Sequence, residues 1–143
     1  MTDERKREII DYAQDIRRHW GNDALKIAER MGIDVLFRPG KEPTAHIMKM
    51  NQYPTIITIS GCDDYIGRMV LCAHELGHAV LHESGANWFD GTYRTIANDI
   101  EYEANLFAVA LLFDENDFNT PLESMSNYVL KSVLDYNLRK EKA

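Results

Sequence analysis

Cysteine, long apolar runs and a leader-like N-terminus are scarce or missing in this chain. Its two cysteines, Cys62 and Cys72, are too few for a disulfide framework. No segment approaches the roughly 18 uninterrupted apolar residues that a membrane-spanning helix needs. The charged N-terminal residues are followed by no signal-peptide core. We therefore expect a cytoplasmic protein with no membrane partner.

An excess of basic residues is also missing. The formal net charge is −7, whereas a protein that binds nucleic acid by itself relies on clustered Lys and Arg. We therefore expect no direct nucleic-acid binding. The acids concentrate between Glu83 and Asp117, where Arg94 is the one basic residue. This stretch is either a solvated rim or a surface that attracts a basic protein partner.

The most informative residues that are present are His74-Glu75-Leu76-Gly77-His78, within an apolar helical stretch. Positions four apart share a helix face, so His74 and His78 can point at one zinc ion. Glu75 is then placed to take a proton from a water bound at the metal. It is not expected to be a ligand, because about 60° of helix rotation separates it from His78. Gly77, which costs a helix about 1 kcal/mol relative to Ala, suggests close approach by another backbone or room for a substrate.

A catalytic zinc usually has three protein ligands and keeps a further position open for water. His82 follows His78 by four residues, but it lies about 12 Å from His74 along a straight helix axis. Such a helix cannot present all three histidines to one ion. We expect His82 to be a helix-end residue, a group that bonds a ligand's free ring nitrogen, or a substrate contact.

Two acids in a second predicted helix, Glu101 and Glu103, are candidates for the third ligand. Glu101 is favoured because it shares its face with small residues, against which another helix could lie close. Glu103 points the other way and is expected to be a solvated acid near the helix N-terminus. Asn105 follows Glu101 by four residues and could bond the free nitrogen or oxygen of a ligand. The choice between the two acids stays open at this point.

These two stretches together resemble the ImmA/IrrE family of metallopeptidases. The family pattern H-E-L-G-H-A-x-x-H matches residues 74–82, and E-x-E-A-N-x-F-A matches residues 101–108. The resemblance covers roughly Ala24 to Asp114. The family often continues its second helix into Leu-Leu-Met-Pro, whereas this chain has Leu-Leu-Phe-Asp at 111–114 and a short tail.

The resemblance implies a specific site and function. It implies zinc ligands at His74, His78 and Glu101, with Glu75 as the catalytic acid/base; manganese is a possible substitute for zinc. It also implies a zinc-dependent endopeptidase that cleaves a helix-turn-helix transcriptional repressor, often of a phage, mobile element or stress regulon, and so relieves repression. An alternative is a non-proteolytic anti-repressor that binds and neutralises the repressor. A metal-dependent amidase for small molecules is a third possibility.

The order of the predicted elements is typical of an α+β protein. It predicts a small, mainly antiparallel three-stranded sheet packed against a helical bundle that carries the metal helix, in the manner of zincins. At 143 residues the chain is expected to be one metallopeptidase domain. Its parts are N-terminal helices at 1–31, the sheet at 33–60, the metal-site helices at 63–113 and a C-terminal helix at 121–143.

Residues that could touch substrate are less sharply defined. His82, Tyr93 and Tyr102 are candidates to stabilise the oxyanion of the tetrahedral intermediate. Trp88 and Phe89, together with Tyr93, could line a groove or simply pack over the second helix. An extended substrate could add to an exposed sheet edge at 55–59. The remaining histidines, at 19 and 46, are far from any metal signature and are expected to be surface or structural residues.

Overall fold

The computed structural model describes residues 1–49, 52–82 and 93–139, without the side chains of 93–97 and 139. Helices flank a small sheet in the order helix–helix–sheet–helix–helix–helix. The elements are α1 (Asp3–Trp20), α2 (Ala24–Arg30), β1 (Asp34–Arg38), β2 (Thr44–Met48), β3 (Ile56–Ser60), α3 (Tyr65–Leu81), α4 (Tyr93–Leu112) and α5 (Asn127–Arg139), with short 3-10 turns at Glu115–Asp117 and Leu122–Ser124.

Polar side chains define where three of the helices begin. The Thr2 hydroxyl accepts a hydrogen bond from the first turn of α1, and Asp23 accepts two from the first turn of α2. Asp64 accepts one from the backbone N–H of Gly67 at 2.7 Å, at the start of α3. These bonds satisfy backbone donors that have no partner inside the helix. Asp23 therefore caps α2, and Asp64 caps α3.

The sheet is mixed, with strand order β1-β3-β2. β1 runs parallel to β3, and β2 runs antiparallel to it. The α+β class and the three strands are as predicted, but the mainly antiparallel arrangement is not confirmed because one of the two pairings is parallel. The expectation of an exposed edge at 55–59 is wrong, since β3 is the central strand. Ile57 and Ile59 of β3 are buried, which fits a strand covered by neighbours on both sides.

The core forms around α4, which packs against α1, α3 and α5. Residues 104–112 of this helix are all buried. Its C-terminal carbonyls receive hydrogen bonds from α1, where the Gln14 amide donates to Ala110 and Phe113 and the Arg17 guanidinium donates to Leu112. These bonds satisfy carbonyls that the end of a helix leaves free. They also fix α4, and with it Glu101, relative to the rest of the molecule.

Neither cysteine of the chain takes part in a disulfide. Cys62 and Cys72 are free thiols, and Cys72 is fully buried on α3, so it acts as a small apolar core residue. Among the described helices, none combines the length and the apolar character needed to cross a membrane.

α3 and α4 pack closely against each other at Gly77. A Cβ atom built on Gly77 would lie 3.1 Å from both Cα and the carbonyl oxygen of Ala104, and 3.3 Å from Cβ of Phe107. Of the two roles expected for this glycine, close approach by another backbone is therefore confirmed. The small residues at this crossing let the metal-motif helix and the Glu101 helix lie side by side.

We predict that Gly77→Val destabilises the protein. The branched side chain has no room at the helix crossing, and overpacking of this kind costs about 1–3 kcal/mol. Urea unfolding measures the loss. Ser132→Val, at an exposed position of α5, is the control for placing valine in a helix and should change stability by no more than about 0.5 kcal/mol. Equal stability of the two variants would contradict the close crossing.

Candidate metal centre

α3 and α4 bring His74, His78 and Glu101 together. Nε2 of His74 lies 3.2 Å from Nε2 of His78. The Glu101 carboxylate faces both rings, with Oε1 at 3.2 Å from His74 Nε2 and Oε2 at 2.8 Å from His78 Nε2. One ligand atom from each residue falls within 4.8 Å of the others, and the group could hold a metal ion. Of the two acids left open by the sequence, Glu101 is the one beside the histidines.

The spacing of these atoms suits a small divalent cation. Ligand atoms bound tetrahedrally at 2.0–2.1 Å lie about 3.3 Å from one another, close to the separations of 2.8–3.2 Å found here. Two imidazoles and one carboxylate are also a donor set known from catalytic zinc sites. The residues present therefore fit the group that the motif implies.

The electrostatics of the cluster favour a positive charge at its centre. Hydrogen bonds from His74 and His78 hold the pKa of Glu101 well below its usual range, against the opposing effect of burial. Burial alone would lower the pKa of His74, but its hydrogen bond to Glu101 and the nearby Glu75 charge outweigh burial and raise it. The raised pKa of His74 reflects its anionic neighbours, and the lowered pKa of Glu101 keeps that carboxyl ionised. Negative charge on both Glu75 and Glu101 would stabilise a bound cation.

Asn105 orients the ring of His74. Its Oδ1 lies 2.8 Å from His74 Nδ1, and its Nδ2 donates to Oδ1 of Asn127 at 2.7 Å. Because the amide oxygen can only accept, Nδ1 of His74 must carry the proton. Nε2, the nitrogen that faces the cluster, is then the one that could offer a lone pair to a metal. The structure thus places Asn105 where the sequence suggested, at the free nitrogen of a candidate ligand.

His82 and Glu103 form a second group next to the cluster. Nδ1 of His82 lies 3.1 Å from Nδ1 of His78, and its Nε2 lies 2.9 Å from Oε1 of Glu103. Glu103 also accepts hydrogen bonds from Nε and Nη2 of Arg5 at 3.0 and 3.1 Å. The expectation of a solvated Glu103 is wrong: only 12% of its side chain is exposed, against 52% for Glu101. His82 does not join the metal cluster, as helix geometry predicted.

Glu75 lies beside the cluster without being part of it. It is 8% exposed and lines the same cleft as His74 and Glu101. Burial raises the pKa of its carboxyl, and the charges of His74 and His78 partly offset that rise. A carboxyl group with a raised pKa, next to a possible metal position, has the chemistry of a general acid/base.

The cleft at the cluster has a volume of about 580 Å³. Residues of β2, α3, α4 and α5 line it. His46 of β2 lines the cleft, which the sequence analysis did not foresee. Its charge also acts on the pKa of Glu75. The alternation of exposed and half-buried residues along β2 places His46 on one face of the strand. It does not indicate that this face is turned toward α3.

The aromatic candidates differ in where the structure places them. The hydroxyl of Tyr102 donates to the carbonyl of Met125 at 3.0 Å, and neither Tyr102 nor His82 is among the residues that line the cleft. Tyr93 is the first residue of α4, but its side chain falls outside the described part of the chain. Trp88 and Phe89 lie outside the described residues altogether.

The family model for M78 peptidases, described as the IrrE N-terminal-like domain, matches residues 28–140. The match spans β1 to α5 and includes every residue of the candidate cluster. No curated protein and no solved structure matches the chain. Because the family model covers well over half of the sequence, the resemblance drawn from the two motifs is confirmed. The chain belongs to the M78 peptidases, the family of ImmA/IrrE-type metallopeptidases.

Proposed function

We propose that this protein is a zinc-dependent endopeptidase that cleaves a helix-turn-helix transcriptional repressor in the cytoplasm and so relieves repression. The observation that carries the peptidase half of this proposal is the meeting of His74, His78 and Glu101 at 2.8–3.2 Å, with buried Glu75 on the same cleft. The repressor half rests on the family likeness, and the acid-rich stretch of the chain would suit a basic, DNA-binding substrate.

In this proposal His74, His78 and Glu101 are the metal ligands. Bound there, zinc would supply a water of lowered pKa and polarise the scissile carbonyl. Glu75 removes the proton from the attacking water and then passes it to the leaving amine. Its burial supports this role, because a carboxyl whose pKa is raised takes up and returns a proton more readily near neutral pH. Manganese remains a possible occupant, since the same donors accept it.

The substrate is proposed to bind as an extended segment beside β2. Within the described residues β2 pairs with β3 alone, so its other side is available to add a strand through main-chain hydrogen bonds. Thr44, Ala45 and His46 of this strand line the cleft. A peptide bound there would pass over His74 and Glu75. His46 is then in position to contact the substrate backbone near the scissile bond.

We predict that the purified protein binds one equivalent of Zn²⁺ and that His78→Ala weakens this binding by at least about 100-fold, because one of three ligands is lost. Competition with a chromophoric chelator measures the affinity. His19→Ala is the matched control. His19 is an exposed histidine on α1 whose contacts among the described residues are with Asp15 of the same helix, so its loss should not change the affinity. Equal zinc binding by the two variants would place the metal elsewhere.

We predict that Glu75→Gln keeps the metal and the fold but lowers the rate of peptide cleavage by about 10²–10⁴-fold, the usual contribution of a general base. The assay mixes the zinc-loaded protein with purified helix-turn-helix repressors from the same genome and follows fragments by mass spectrometry. Glu29→Gln, an exposed acid on α2, controls for the loss of one negative charge and should cleave at the wild-type rate.

The same assay separates proteolysis from simple binding. Fragments that disappear when a chelator is added support the endopeptidase. Release of a repressor from its operator DNA without fragments, with or without chelator, would instead support the non-proteolytic anti-repressor. Cleavage by Glu75→Gln at the wild-type rate would show that another group acts as the base.

A further inference from the structure

We propose that β1 pairs with β1 of a second copy of this chain, giving a two-fold symmetric dimer in which the two sheets join into one. The inference depends neither on the metal site nor on the proposed function. β1 and β2 lie at opposite edges of the sheet, so pairing through β1 does not obstruct the cleft beside β2.

The main chain of β1 can bind a further strand. In the part of the chain that the structure describes, β1 pairs with β3 alone. The N–H of Asp34 donates to the carbonyl of Thr55 at 3.0 Å, so the main chain of Asp34, and of every second residue after it, is turned toward β3. The N–H and C=O groups of Val35 and Phe37 therefore point away from β3.

The side chains of β1 also suit a contact surface. Every residue of the strand except Val35 is exposed. Leu36 and Phe37 are large apolar residues, and they are 45% and 44% exposed. Apolar side chains on an open sheet edge favour association with another strand.

The charges at the two ends of β1 select a second copy as the partner. Asp34 begins the strand and Arg38 ends it. When two β1 strands run antiparallel about a two-fold axis at Leu36, Asp34 of each copy lies opposite Arg38 of the other. A register displaced by two residues would instead place a charge opposite Leu36. Opposite charges at directly facing positions stabilise a strand pair, whereas like charges destabilise it.

The same register satisfies the main chain. It sets Val35 of each copy opposite Phe37 of the other, and these are the residues whose N–H and C=O groups point outward. Facing residues of this kind exchange both of their hydrogen bonds in an antiparallel pair. Leu36 then faces Leu36 of the second copy as a pair without hydrogen bonds, in which side chains approach most closely. Charge pairing and main-chain pairing therefore give one and the same register.

A groove beside Val35 offers a place for the facing aromatic ring. It has a volume of about 450 Å³, and Leu25, Ile33 and Tyr65 are among the residues that line it together with Val35. In the dimer, Phe37 of the second copy lies directly across from Val35, next to this groove. Its ring can pack there against apolar side chains and leave the solvent.

The competing explanation is that Asp34 and Arg38 are charges that keep the edge of a monomer from pairing. Two charge reversals separate the explanations. In Asp34→Arg the facing positions hold arginines only, and in Arg38→Asp they hold aspartates only, so each variant repels its own copies. A mixture of the two variants places an arginine opposite an aspartate at both ends of the strand pair.

We predict that the wild-type protein forms a concentration-dependent dimer in sedimentation velocity, and that each reversal raises the dissociation constant by at least about tenfold. An equimolar mixture of the two variants should regain wild-type association as a heterodimer. Asp15→Arg and Arg18→Asp change exposed residues of α1 and make the same changes in net charge. Alone or mixed, these controls should dimerise as the wild type does.

Amide hydrogen exchange gives a second readout. Exchange at Val35 and Phe37 should slow as the protein concentration rises, while Leu36, whose N–H faces β3, is the internal reference. A wild type that stays monomeric at the highest concentration at which it is soluble would overturn the dimer. Reversal variants that dimerise as the wild type does, or a mixture that regains no association, would also overturn it.

Discussion

The close crossing of α3 and α4 at Gly77 is the constraint on which the site depends. His74 and His78 lie on one helix and Glu101 on the other, so their ligand atoms meet only if the two backbones approach to near contact. A Cβ on Gly77 would stand 3.1 Å from backbone atoms of Ala104. Gly77 costs α3 about 1 kcal/mol of helix propensity, but its lack of a side chain permits the close crossing that brings the three residues together.

Around that crossing, the polar groups are arranged so that both imidazoles turn the same nitrogen inward. Asn105 holds Nδ1 of His74 at 2.8 Å and His82 holds Nδ1 of His78 at 3.1 Å. Asn105 belongs to α4. His82 in turn contacts Glu103, which is bonded to Arg5 of α1. Among the described residues no buried polar side-chain atom lacks a hydrogen-bond partner, so protein contacts hold the buried groups around the site in place. Preorganisation of this kind lowers the cost of binding a metal.

The features of the site that depend on a single helix could be predicted from the sequence. The i, i+4 spacing of the histidines and the face shared by Glu101 and Asn105 both follow from helix periodicity. Contacts between distant segments could not be predicted in the same way. Nothing local in the sequence pairs Arg5 with Glu103, places His46 on the cleft or makes β1 parallel to β3, because each depends on how separate elements pack. Glu103 was therefore expected in solvent, although it lies 12% exposed beside His82.

Zinc K-edge X-ray absorption of the zinc-loaded protein tests the central claim most directly, because it reports the atoms around the ion itself. The account predicts nitrogen and oxygen neighbours at about 2.0–2.1 Å, with the multiple scattering of two imidazole rings. Loss of one imidazole signal in a His74→Ala sample would identify the ring. A spectrum with sulfur neighbours, or with no imidazole scattering, would show that His74, His78 and Glu101 do not hold the ion.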